Sequence, residues 1–194
     1  LGKEMRFYNY GARELWTPYF HMSRKYDTEI LTFHVNKKFP WTTIPDNDLT
    51  IEIKGITGEE MEDIIESNLH MQGYESIDTN YGQILLDDKH RGKMFVNGLY
   101  ISTVQDFKYG YNFKPSKVKL DRDRKLIEAF DLKWTTSQMW LYNKDPLVVK
   151  IAPQLIAEGA PDVSYIVDVG SSSESEVSKA VVENFIGQYG SRAV

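Results

Sequence analysis

With 194 residues, 41% hydrophobic and 13% aromatic, the chain has enough apolar surface for a packed core, which excludes wholesale disorder. A formal net charge of −5 argues against a protein that coats nucleic acid nonspecifically, and no apolar run approaches the roughly 20 residues that span a bilayer. The absence of cysteine removes disulfides, thiolate metal sites and cysteine nucleophiles together, and fits a reducing, cytoplasmic setting.

Residues 5–10 read as a first strand. Residues 29–35 read as a second, where Leu31, Phe33 and Val35 alternate with Thr32 and His34 in the pattern of a half-buried strand. Between them Trp16, Tyr19, Phe20 and Tyr26, with Pro18, read as an aromatic-rich link, and 40–48 as a loop. Leu49, Ile51 and Ile53 alternate with Thr50, Glu52 and Lys54, which predicts a further strand. Thr57-Gly58-Glu59-Glu60 is a capping box, because the Thr hydroxyl and the Glu carboxylate satisfy orphan amides at the start of a helix. That helix is expected to carry Met61, Ile64, Ile65 and Leu69 on one face and to end at Gly73.

A strand is expected at 83–86, a charged turn at 87–92 and one continuous strand at 94–102, the two strands forming a hairpin. The longest helix is expected at 123–142, with Leu126, Ile127, Phe130 and Trp134 toward the core. Asp145-Pro146 is an N-cap followed by proline at the first helical position, and Pro153 is expected to kink or end that helix. Residues 159–162 read as a break and 171–173 as a polar hinge. Ser173 and Glu176 form a second capping box, before a stripe of Val177, Val181, Phe185, Ile186 and Tyr189 that Gly190 stops. Strands and one helix fill the first 105 residues and helices dominate the rest. The order predicts an α+β fold, a mixed β-sheet with packed helices followed by a helical C-terminal part. The expected divisions are 1–48, 49–145 and 146–194.

From Lys108 to Lys125 seven cations face two acids, a local excess of basic charge in an acidic chain. Two arginines in the first turn of a helix need compensation, since that end already carries partial positive charge. Either Asp121 and Asp123 pair with them, or an anion does. Tyr109, Tyr111 and Phe113 beside these lysines suit either a stacking platform for single strands or a loop packed on its own sheet. Asp87 and Asp88 read as turn acids, solvated or weakly cation-binding. The four histidines have no zinc-ligand spacing, and neither a phosphate-binding glycine motif nor a nucleophile elbow is present, so no metal site is expected.

The stretch from Gly92 to Ile127 contains Gly-Lys-x-Phe-Val, Gly-Leu-Tyr-Ile, Tyr109-Gly110-Tyr111-Asn112 and Leu120-Asp121-Arg122-Asp123-Arg124. In this order it resembles the middle, or transducer, domain of GHKL-type ATPases such as the ninety-kilodalton heat-shock chaperone. It is nearer still to bacterial and phage relatives of unassigned role. The resemblance implies a transducer-like βαβ domain over 49–145, with 1–48 ending a nucleotide-binding domain. It implies that Arg124 reaches the terminal phosphate of ATP on the preceding domain, with Lys114, Lys117, Lys119 and Arg122 as further ligand-binding positions. ATP and magnesium would belong to a longer polypeptide and not to this stretch, which lacks the family's Glu/Asn helix and Asp-x-Gly-x-Gly loop. Both chain ends read as cuts, in keeping with a fragment. The implied partners are its own N-terminal ATP-binding domain and a second copy in a homodimer; nucleic acid is less favoured and a membrane is not expected. The expected function is a non-catalytic coupling of nucleotide state to the helices beyond Asp145. The alternative is a nucleic-acid or protein binding module that uses 108–125.

Overall fold

Two separate sheets carry the strands, and the helices concentrate in the C-terminal part, an α+β fold. The computed structural model describes residues 3–38, 48–118, 129–166 and 175–190. It divides into two units, 1–62 and 63–194.

The first unit is a four-stranded antiparallel sheet of β1 (Met5–Asn9), β2 (Glu14–Ser23), β3 (Thr28–Asn36) and β4 (Leu49–Ile53), in the order β3-β2-β1-β4. The expected aromatic link is the ten-residue strand β2. Pro18 is tolerated there because β1 pairs only with Glu14–Trp16, so the missing N–H falls where β1 offers no acceptor. β4 pairs along its whole length with β1, which places it in this sheet and not at the head of the next division. α1 (Gly58–Ser67) comes next, opened by the expected capping box. The Thr57 N–H donates to Glu60 Oε2 at 2.8 Å and the Glu60 N–H donates to Thr57 Oγ1 at 3.3 Å. α1 stops at Ser67, earlier than expected, because Asn68 caps a separate one-turn 3-10 segment, Leu69–Met71, by accepting from the His70 N–H.

The second unit is built on a five-stranded sheet of β5 (Ser76–Asp78), β6 (Gly82–Leu85), β7 (Lys93–Val96), β8 (Leu99–Thr103) and β9 (Gly110–Phe113). Its order is β5-β6-β9-β7-β8, with β7 and β9 parallel and the other pairs antiparallel. The expected single strand over 94–102 is instead a hairpin. Asn97 and Gly98 both adopt positive φ, 49° and 78°, which makes the two-residue type I′ turn that matches strand twist. β6 therefore does not pair with β7; its partners are β5 and β9. α1 leads from one sheet into the other, and the parallel β7 and β9 are linked through β8 without a helix.

Among the described residues this unit carries the helices α2 (Ala129–Leu141), α3 (Pro146–Ala157) and α4 (Glu176–Tyr189). Ile77, Ile84, Met94, Val96, Tyr111 and Phe113 on one sheet face share a core with Leu132, Met139 and Trp140 of α2, Val148 and Ala152 of α3 and Val177 of α4. Leu85 and Phe95, one residue out of phase, pack with Leu69 and Tyr74 in a smaller cluster. Asp145 caps α3 as expected, accepting from the Leu147 N–H at 2.8 Å, but α3 continues through Pro153. Trp134, expected in the core, is 39% exposed and meets Tyr81 edge-on; Trp140, completely buried, takes the central place. The N-cap of α4 is Ser175, which accepts from the Ser178 N–H; the expected Ser173 cap lies outside the described residues, as do 40–47, Leu126, Ile127 and 171–173.

Lys3 holds the Glu60 carboxylate and the Thr57 N–H donates to it, and these push its pKa from 4.5 down to about 2. The contribution is present above the ordinary carboxylate value and is lost as pH falls through the folded value. An NMR titration of Glu60 is expected to give a midpoint near 2 that moves back toward 4.5 in Lys3→Met. An unshifted midpoint in the parent chain would remove Lys3 from the cap.

Candidate functional site

The second unit is organised around a buried carboxylate. Asp162 lies in a one-turn 3-10 segment, Pro161–Val163, after α3, and is fully buried. A carboxylate there must be surrounded by donors, since an uncompensated buried charge costs several kcal/mol. Asp162 Oδ2 accepts from the Lys108 N–H at 2.9 Å, and Oδ1 accepts from the Tyr109 N–H at 3.1 Å and from the Tyr111 hydroxyl at 2.7 Å. The Trp140 indole N–H donates to the Tyr111 oxygen at 2.8 Å. β9, α2 and the segment after α3 thus meet on one chain of hydrogen bonds. Burial, and next the Asp162 charge, push the Tyr111 hydroxyl well above its ordinary value, so it stays a protonated donor.

Each residue of Tyr109-Gly110-Tyr111-Asn112 has a place in this arrangement. The Tyr109 ring lies against Trp140, with centroids 4.9 Å apart. A Cβ at Gly110 would sit 2.3 Å from the His90 carbonyl oxygen, so only glycine lets the two backbones approach. Asn112, on the opposite sheet face, accepts from the Gly98 N–H at 2.8 Å and donates to Gln83 at 2.9 Å, which ties down the type I′ turn. Tyr111 and Phe113 are buried and offer no ring face to a nucleic-acid base.

Lys114 and Lys117 of the basic stretch are engaged locally. Lys114 Nζ donates to the carbonyls of Thr79 and Asn80, both at 3.3 Å, and Lys117 Nζ stands 5.5 Å from the centroid of the Tyr81 ring. Both therefore anchor the chain after β9 to the β5–β6 turn. Lys119, Arg122 and Arg124 lie outside the described residues. Beside this anchor is a cleft of about 290 Å³ between residues 78–81 and the end of α2. Gln138 and Lys144 are in its walls, and the Gln138 amide nitrogen, buried, has no hydrogen-bond partner among the described residues. A second cleft, about 340 Å³, opposes Asp87, Asp88 and Glu158 to Arg91 and Lys108. Neither of these two clefts is walled by a glycine-rich loop. Among the described residues no group of three or more His, Asp or Glu could hold a metal ion, and no helix is long and apolar enough to cross a membrane.

Asp162 was not singled out by sequence reasoning, and neither was His90. His90 is fully buried; its Nε2 faces Gln72 Oε1 at 3.1 Å, and Nδ1 has no hydrogen-bond partner among the described residues. Desolvation, followed by the charge of Lys89, lowers its pKa below the ordinary histidine value.

Residues 59–145 match the family model described as Mycoplasma pneumoniae MPN635 N-terminal domain, which covers less than half of the chain. The matched stretch contains the Tyr-Gly-Tyr-Asn strand, Trp140 and the first cleft, and stops short of Asp162. No curated protein and no solved structure gives a match.

Tyr111→Phe strands the Trp140 N–H and removes a donor from Asp162, and is expected to cost about 2 kcal/mol in denaturant unfolding. A variant as stable as the parent chain would mean that the hydroxyl is not the joint. Because burial lowers the His90 pKa, the unfolded chain takes up its proton first as pH falls. The stabilisation is full above the ordinary histidine value and declines below it. The melting temperature is therefore expected to fall between about pH 7 and pH 5, and less steeply in His90→Phe.

Proposed function

We propose that this chain is a non-catalytic coupling module of a GHKL-like ATPase, which relays the nucleotide state of an N-terminal ATP-binding domain to α3 and α4. The resemblance over Gly92 to Ile127 suggests the class of machine. The observation that carries the reading is the Asp162 joint. In sequence the basic stretch 108–125 runs through β9 toward α2, and these two elements are fastened to Asp162 through Tyr111 and Trp140. A force on that stretch acts against a fixed joint and is passed to the segment after α3, whereas a loosely held strand and helix would dissipate it.

In this reading Arg124 meets the terminal phosphate, where an arginine fork stabilises charge developing on a transferred phosphoryl group. Lys119 and Arg122 add positive potential, while Lys114 and Lys117 fasten the base of the stretch to the β5–β6 turn. ATP and magnesium sit on the other domain, in the cytoplasm, and this chain alone hydrolyses nothing.

The test is ATP turnover by the polypeptide that joins this chain to its ATP-binding domain, with and without Arg124→Ala. Loss of one preorganised charge donor is expected to lower turnover by about two orders of magnitude. Equal turnover would leave Arg124 a structural residue and end the coupling reading at its key position. Steeply salt-dependent polynucleotide binding by this chain would instead favour a binding module.

A further inference from the structure

The four-stranded sheet of the first unit has one apolar and one polar face. Pairing of Phe7 with Trp16 and Ile51, and of Pro18 with Phe33, sets the register. It puts Phe20, Met22, Leu31, Val35, Leu49 and Ile53 on the same face as these residues. The other face carries Arg6, Tyr8, His21, Thr32 and Glu52, which satisfy one another. Tyr8 donates to Glu52 at 2.9 Å, and His21 Nε2 lies 2.8 Å from the Thr32 hydroxyl. That polar face suits water. The apolar face is the one the sequence has shaped for burial, yet Met22 is 67% exposed, Leu49 60% and Phe20 55%.

We infer that this face is an interface between two copies of this chain, packed sheet on sheet. Its exposed apolar side chains present on the order of 700 Å², more than the largest patch on most monomers and close to the roughly 800 Å² that each partner buries in a stable complex. A twisted sheet face that is apolar over its middle, with its polar residues at the strand ends, is self-complementary. Two such faces interdigitate at about 30° in an aligned sandwich, and a two-fold axis makes each copy's patch the other's cover. Charge does not oppose the pairing. Residues 1–62 hold eight basic and ten acidic side chains, close to balance, and the ionisable residues at paired positions of the apolar face, Glu14 opposite Asn9 and Glu29 opposite Met22, stand at strand ends, Glu14 already held by Trp16 Nε1 and Lys37. Pairing through the edge strands β3 or β4 would leave the apolar face in water, which makes the face and not the edge the surface that gains from association.

This interface does not depend on the coupling reading. It is tested by sedimentation velocity of the whole chain over a concentration series up to about 100 μM. A dimer is expected, with Phe20→Glu and Leu31→Glu each weakening it at least about 100-fold by burying an unpaired charge, and Thr50→Lys, on the polar face, leaving it intact. A parent chain that stays monomeric across the series overturns the inference, and so does a dimer that persists in both glutamate variants while their circular dichroism is unchanged. Should either variant fail to fold, Met22→Lys at the most exposed position takes its place. A monomer whose face is covered by another protein falls under the first of these overturning outcomes.

Discussion

A buried carboxylate constrains every element bonded to it, and Asp162 holds the start of β9 directly and α2 through Tyr111. Its two oxygens are filled by three donors from 108–111, and the one hydroxyl among them is oriented by Trp140. A buried carboxylate tolerates little loosening, because each lost donor leaves an oxygen unsatisfied. The position of β9 relative to α2, and of both relative to the segment after α3, is therefore specified more tightly than apolar packing alone requires. Apolar contacts could slide; these bonds cannot without breaking.

The same constraint explains the residues around it. Tyr111 supplies a hydroxyl that can accept from an indole and donate to a carboxylate at once, which phenylalanine cannot do. Gly110 allows the approach to His90, and Asn112, on the opposite face, turns the same strand toward the Asn97–Gly98 hairpin. A motif that looks like a recognition loop in the sequence is thus a central strand with a structural task at each position. The basic stretch that leaves this strand begins with two lysines held against the β5–β6 turn. Such fastening is what a relay needs at its fixed end.

The two sheets treat burial differently. The second has side chains packed on both faces, in a large cluster and a small one. The first has residues of similar apolarity on one face and leaves them in contact with solvent. The difference is not in strand propensity, which is high in both. Among the described residues it lies in the helices available to each sheet: three belong to the second unit, whereas the first holds the start of one amphipathic helix. The hydrophobic effect makes an uncovered face of this size an unfinished layer.

Local chemistry was legible in the sequence where interacting groups lie within a few residues. The Thr57–Glu60 capping box, the Asp145-Pro146 helix start, the Gly190 stop and the alternation of β3 and β4 all formed, because their hydrogen bonds and periodicity are properties of a short segment. The Asn97-Gly98 turn was equally local, and reading one strand across it let apolar content outweigh a strong turn signal. β2 was hidden by Pro18, whose acceptability depends on where the pairing with β1 stops. Only the tertiary structure decided which strand pairs with which, that β7 and β9 run parallel, and that Asp162 is buried. The donors to Asp162 come from 51 to 54 residues away, so no window of sequence contains the reason for it. By itself the sequence determined the kinds of element and their caps, through short-range hydrogen bonds and side-chain periodicity. Their partners, and which faces are covered, depend on burial shared between distant segments, which exists only once the chain has closed upon itself.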